Sequence, residues 1–163
     1  MPDLKHELEL VLDDVSYLLD ELDALQLVVD SVPVFERPGG ELSIAELFKL
    51  IDFYQNDVFD STIVPILGNP TPDLPIIDYA ALKSTFEKNR DSAENEAKEG
   101  ITVVIDTLKS GRIKLLKEIE PHKSDLSTDR TMKLANSLNI LAEKERGILK
   151  SIAEHILTIT RQE

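Results

Sequence analysis

The segment LAEKERGILKSIAEHI, residues 141–156, decides the fold because its apolar residues recur with the spacing of an α-helix. Alternating steps of four and three residues place one stripe of side chains on a single helical face. The stripe consists of Leu141, Glu145, Ile148, Ile152, His155 and Ile159. Two polar residues, Glu145 and His155, therefore lie in an otherwise apolar seam, and they are the first candidates for a functional site.

The same periodicity extends over most of the chain and predicts an all-α protein. A first helix is expected from about Asp3 to Val29. A second helix opens with Ser43 as its N-cap and Glu46 as the capping-box partner three residues later. Pro65 is expected to kink or end this helix. The last helix is expected from about Thr128 to Thr160, and it contains the quoted seam.

Between the second and last helices, the sequence predicts a long connection and a third helical region. The segment GNPTPDLPIID, residues 68–78, is rich in proline and should be mostly extended. One long helix is then expected from about Tyr79 to Ile119, weakened at Gly100 and Gly111, and the sequence also allows a break before Ala93. The chain should therefore form an all-α four-helix bundle, whose proline-rich crossover leaves helices 2 and 3 roughly parallel.

Composition restricts the partners and the compartment of this protein. The chain has 31 acidic and 18 basic residues, and its net charge of −13 disfavours binding to nucleic acid and to anionic membranes. There is no cysteine, which excludes disulfides and thiolate chemistry. The first residues lack a signal-peptide core, and no run approaches the about 18 apolar residues of a membrane span. We expect a single domain, residues 1–163, in a soluble cytoplasmic protein.

The order of these segments resembles the DinB-like (DinB/YfiT) superfamily of four-helix-bundle metalloproteins. The resemblance rests on ERPGGELSIAELFKLIDFYQND at 36–57, on the crossover NPTPDLPIIDYAAL at 69–82, and on EKERGILKSI at 143–152 in the last helix. It covers nearly the whole chain. The superfamily takes its name from a DNA-damage-inducible member, but a repair activity does not follow from a shared fold.

The resemblance also implies where a metal would bind. Members often hold a divalent metal through one histidine on the second helix and two histidines, four residues apart, on the last helix. In this chain those positions fall at Leu50, Lys144 and Ile148, and none of these residues is a suitable ligand. We therefore predict a vacant family metal site, with no bound metal or cofactor. The three side chains should lie near one another, with Leu50 and Ile148 adding to the packing.

Glu145 and His155 each permit a functional and a structural interpretation. His155 could serve as a general base or as a single metal ligand. We favour a hydrogen-bonded or partly exposed histidine, because histidine is intermediate in burial and no partner histidine is identifiable. His155 also lies seven residues beyond Ile148, about 10 Å along the helix axis, which is too far for it to share one ion with the vacant site. Glu145 should find a basic or amide partner, or lie at the edge of the seam. The combined substitution of Glu145→Gln and His155→Gln is expected to change stability modestly.

Other site chemistries lack their motifs. Di-iron bundles need Glu-x-x-His on two helices, and the sequence contains none. Asp13 and Asp14 belong to an acidic run that should face solvent. A phosphotransfer histidine should be followed closely by lysine and glycine, whereas Ile156 and Leu157 follow His155.

Two classes of function remain open. The first is a DinB-like bundle that has lost its metal and acts as a binding or structural protein, holding a small apolar ligand between helices or pairing as a homodimer. The second is a metal-dependent enzyme of the same superfamily, of thiol-transferase or hydrolase type, that uses a displaced site. We favour the first class.

Overall fold

The computed structural model describes residues 3–29, 31–37, 39, 41–68, 74, 76–89 and 100–161. Within these ranges every regular element is helical and no strand occurs, so the all-α prediction is confirmed. The elements are α1 (Leu4–Val29), α2 (Ile44–Val58), a π-helical turn (Phe59–Ile63), α3 (Val64–Gly68), α4 (Tyr79–Lys88), α5 (Ile101–Ile119) and α6 (Thr128–Arg161).

The four longest of these helices pack around one apolar core. Helix α1 packs against α5 and α6, and α2 packs against the same two helices. Helices α1 and α5 are antiparallel, because Glu9 pairs with Lys123 whereas Asp23, further along α1, pairs with Lys109. The core therefore lies between helices that are distant in sequence.

Helices α1 and α6, in contrast, run in the same direction. Leu10 borders the same groove as Asn139, and Glu21 borders the same groove as Leu149. Residue numbers therefore increase in the same direction along α1 and α6, so the two helices are parallel.

Helix α2 runs opposite to α6. Glu41, just before α2, lies beside His155, whereas Ile66 in α3 accepts a hydrogen bond from Arg130 near the start of α6. Helix α5 also runs opposite to α6, because α1 is antiparallel to α5 and parallel to α6. Helices α2 and α5 therefore run in the same direction, as predicted. The crossover that should join them lies largely outside the described residues, at 69–73 and 75.

The start of α2 is fixed by the predicted capping box. The Ser43 hydroxyl accepts a hydrogen bond from the Glu46 amide at 3.1 Å, and the Glu46 carboxylate accepts one from the Ser43 amide at 2.9 Å. Arg37 also donates to Glu46, at 2.8 Å. Burial alone would raise the pKa of Glu46, but the hydrogen bonds from Arg37 and Ser43 outweigh it and lower the pKa. The carboxylate thus stays charged at the helix N-terminus.

Pro65 does not end the second helix. The chain passes through the π-helical turn, in which the Val64 amide donates to the Phe59 carbonyl, and continues as α3 to Gly68. Proline lacks an N–H, and its ring crowds the carbonyl four residues earlier, here that of Ser61, so we attribute the widened turn to Pro65. Of the two outcomes expected at Pro65, a kink or an end of the helix, the end is wrong.

A continuous third helix from Tyr79 to Ile119 is wrong, whereas a break before Ala93, which the sequence also allows, agrees with the structure. Helix α4 ends at Lys88, Asn89 forms a turn, and α5 begins only after Gly100, whose backbone is extended. The sparse apolar positions of α4 and the low helix propensity of glycine account for this separation. Ala93 itself lies outside the described residues.

The quoted seam of α6 is buried as its periodicity predicts. Leu141 and Ile152 are fully buried, Glu145 is 3% exposed, and Ile148 is also in the core. His155 is half-buried at the last turns of the helix. The two polar residues of the seam therefore lie in different surroundings, one in the core and one near its end.

Candidate functional site

Glu145 forms a buried ion pair with Arg112 in the centre of the core. The side chains of Arg112 and Glu145 are 0% and 5% exposed. The two guanidinium NH₂ groups of Arg112 donate to both carboxylate oxygens of Glu145, one of them at 3.1 Å. The same guanidinium donates to the Val15 carbonyl at 2.9 Å and to the Gln55 side chain at 2.8 Å. Arg112 thus connects α5 to α1, α2 and α6.

Gln55 extends this network between α2 and α5. Its amide nitrogen donates to the Leu108 carbonyl at 3.3 Å and to Asp52 at 3.0 Å. A Cβ atom at Gly111 would overlap that nitrogen. A larger residue at position 111 would therefore displace the Gln55 amide group from its place between α2 and α5.

Burial changes the protonation behaviour of this network. It raises the pKa of Glu145, although the positive charge and hydrogen bonds of Arg112 oppose the rise. Burial also raises the pKa of Asp52, against hydrogen bonds from Gln55. The pKa of Tyr79 rises because of burial and of the nearby Glu145 charge. Asp52 and Glu145 have hydrogen-bond partners within the protein, whereas the buried Tyr79 hydroxyl has none among the described residues.

The sequence indicates this network through polar residues that occupy positions within the apolar stripes. On α5, Leu108 and Leu115 are seven residues apart, so the three-four spacing of the buried face needs one residue between them. Arg112 occupies that position. On α2, Gln55 lies beside the buried Tyr54 in the same way. A polar residue in the centre of an apolar stripe predicts a buried partner on another helix, because an unpaired charge in the core is costly.

The three positions at which the DinB-like resemblance would place a metal have different surroundings. Leu50 is 1% exposed and Ile148 is 9% exposed, so both contribute to the core. Lys144 is exposed, and its ammonium lies 5.5 Å from the centroid of the Tyr79 ring. That the three lie near one another stays a prediction. Within the described residues, no group of three or more histidine, aspartate or glutamate side chains is arranged to hold a metal ion.

His155 belongs to an open cleft of about 410 Å³ near the start of α2. The segment before α2 forms its walls together with α2, α4 and α6. The described side chains that line it are Glu41, Leu42, Leu47, Lys83, Glu87, Ser151 and His155. This cleft combines charged, hydroxyl and apolar groups at one place on the surface.

Within this cleft, hereafter the His155 cleft, the polar groups form loose pairs. The Nε2 atom of His155 lies 3.6 Å from a Glu41 carboxylate oxygen, and Lys83 lies 3.9 Å from Glu87. The Nδ1 atom of His155 is buried and has no hydrogen-bond partner among the described residues. The Ser151 hydroxyl donates to a carbonyl of its own helix. The carboxylates of the cleft are exposed enough to meet a ligand.

The described residues thus define an all-α protein with a structural ion pair in its core and a polar cleft on its surface. None of its described helices is long and apolar enough to cross a membrane. Comparison of the chain with protein-family models, curated proteins and solved structures finds no match.

Proposed function

We propose that this chain is a divergent DinB-like four-helix bundle without the family metal site, and that it binds a small organic amine in the His155 cleft. The order of its sequence segments and the shared direction of α2 and α5 support the DinB-like assignment. The side chains at the metal-site positions, Leu50, Lys144 and Ile148, support the loss of metal.

The composition of the His155 cleft is the observation that carries the choice of ligand. The cleft is lined by two carboxylates, those of Glu41 and Glu87, but by only one described ammonium group, that of Lys83. Leu42 and Leu47 offer an apolar contact beside these charges. A short alkyl chain with a primary ammonium group matches both features, and the net charge of −13 attracts cations. The ligand is therefore polar, in contrast to the apolar ligand that the sequence suggested.

Isothermal titration of the full chain with 1,4-diaminobutane, butylamine and butyrate tests this proposal. We expect both amines to bind and butyrate not to bind. Glu41→Gln and Glu87→Gln should each lower the affinity for the amines about fivefold, because each removes a partly exposed charge contact of about 1 kcal/mol. Glu118→Gln is the matched control, since it removes the same charge from the exposed surface of α5.

Equal binding of butyrate and butylamine would count against the proposal, as would a loss of affinity in Glu118→Gln as large as in Glu41→Gln. The first result would mean that the alkyl chain alone is recognised. The second would mean that the amines respond to net charge and not to the cleft.

A displaced-site enzyme is the second candidate, and the pairing of His155 with Glu41 is the observation that favours it. A carboxylate beside an imidazole can fix the orientation of the ring, as general-base catalysis requires. Ser151, one helical turn away, is a poor nucleophile in this arrangement because its hydroxyl donates to the Gly147 carbonyl. If the site uses the metal chemistry of the superfamily, it must also retain a metal in stoichiometric amount.

A further inference from the structure

Helix α1 carries a second stripe of side chains, separate from the face that it buries. Acidic residues recur every seven positions at Glu7, Asp14 and Glu21, and apolar residues recur at the same interval at Leu10, Tyr17 and Ala24. Leu10 is 55% exposed and Tyr17 is 59% exposed. Regular steps of three and four residues place all six on one side of the helix.

The middle of this stripe borders a groove between the parallel helices α1 and α6, hereafter the α1–α6 groove, with Leu10, Asp14, Tyr17 and Glu21 in its wall. Two cavities of about 370 and 90 Å³ adjoin there and share Asp14 and Tyr17. Helix α6 contributes Asn139, Arg146 and Leu149 to the opposite wall. The stripe from residue 7 to residue 24 spans about 26 Å, which corresponds to about five turns of an α-helix.

The charge of the groove restricts what can occupy it. Helix α1 contains seven acidic residues and one lysine. Asp14 pairs with Arg146 across the groove, whereas Glu7 and Glu21 are exposed on the same stripe. Pairing of this stripe with that of a second copy would bring like charges together, and anionic lipids or nucleic acid would be repelled. The groove therefore favours a cationic occupant.

We propose that the α1–α6 groove binds a basic amphipathic helix of a partner protein. Apolar side chains of that helix, spaced three and four residues apart, would contact Leu10 and Tyr17. Its lysines or arginines would face Glu7 and Glu21. The apolar contacts provide most of the affinity, and the charges select a basic helix over a neutral or acidic one. This interaction does not depend on the His155 cleft, which lies near the start of α2.

Fluorescence anisotropy of the full chain with labelled synthetic peptides tests this proposal. The probe is a leucine–lysine peptide of about five helical turns with leucines at three-four spacing. A scrambled peptide of identical composition, with no apolar face, is the peptide control. We expect the patterned peptide to bind more tightly than the scrambled one, with an affinity that decreases as salt concentration rises.

Variants of the chain localise the binding. Leu10→Ala combined with Tyr17→Ala should weaken binding of the patterned peptide about tenfold or more, because both side chains lie in the centre of the contact. Leu27→Ala combined with Leu157→Ala is the matched control, since these leucines are 84% and 52% exposed outside the groove. All four residues are on the surface, so the variants should fold.

Charge variants separate recognition by the groove from general attraction. Glu7→Gln combined with Glu21→Gln should weaken binding more than Asp106→Asn combined with Glu118→Gln, which removes the same charge from α5. Equal effects of the two charge variants on affinity would overturn the proposal. The same conclusion would follow if the scrambled peptide bound as tightly as the patterned one, or if the loss of Leu10 and Tyr17 left the affinity unchanged. Self-association that these two alanines abolish would identify a second copy as the occupant instead.

Discussion

Arg112→Met is expected to lower the free energy of unfolding by about 3–5 kcal/mol at neutral pH. The substitution leaves the Glu145 carboxylate buried without its partner, and it removes the donor to the Val15 carbonyl and to Gln55. Methionine fills much of the volume of the arginine stem, so the loss reports the charge and not a cavity. Urea denaturation of the variant and of the wild type at the same pH measures it.

The stability that Arg112→Met loses relative to the wild type should depend on pH. Burial already raises the pKa of Glu145 above its ordinary value of 4.5, and removal of the opposing Arg112 raises it further. A carboxyl group with a raised pKa in the folded state stabilises the fold below its unfolded pKa and loses this contribution as pH rises through the folded pKa. Arg112→Met should therefore lose less stability relative to wild type at about pH 4 than at about pH 8.

The double variant Arg112→Met with Glu145→Leu is the matched control. It removes both charges, so most of the stability should return and the added dependence on pH should disappear. Equal stability of the single and double variants would contradict the ion-pair interpretation. Because Glu145 lies in this network, Glu145→Gln should be more destabilising than the modest change that the sequence suggested, whereas His155→Gln should remain mild.

Leu50→Ala is expected to destabilise the protein by about 2–5 kcal/mol. Leu50 is 1% exposed, so its truncation removes apolar burial and leaves a cavity in the core. Leu157→Ala, at a position that is 52% exposed, should change stability by no more than about 0.5 kcal/mol. Thermal and urea unfolding of both variants test the difference. Equal effects would mean that Leu50 faces an open site where the superfamily places its metal.

Long periodic segments made much of this fold predictable from sequence. The start of α6 and the end of α1 agree with the prediction, because apolar stripes of that length determine which face is buried. The capping box of Ser43 and Glu46 was predictable because it is a local interaction over three residues. The shared direction of α2 and α5 was also anticipated, from the length of the connection between them.

The features that the sequence did not predict depend on contacts between distant segments. Arg112 was not recognised because apolar periodicity counts only apolar positions, and its partner Glu145 lies 33 residues away. The His155 cleft combines the segment before α2 with α4 and α6, and no spacing rule relates these segments. The continuation of the helix through Pro65 depends on a change in hydrogen bonding that proline statistics alone do not indicate.

Metal content of the full chain tests the central claim, that this protein works as a binding bundle without the metal of the superfamily. The protein is purified without chelators from medium that contains zinc, nickel and iron, and each metal is then quantified per chain. We predict far less than one equivalent of every metal, in the wild type and in His155→Gln alike. About one equivalent of zinc, nickel or iron in the wild type, lost in His155→Gln, would contradict the claim and establish a displaced metal site.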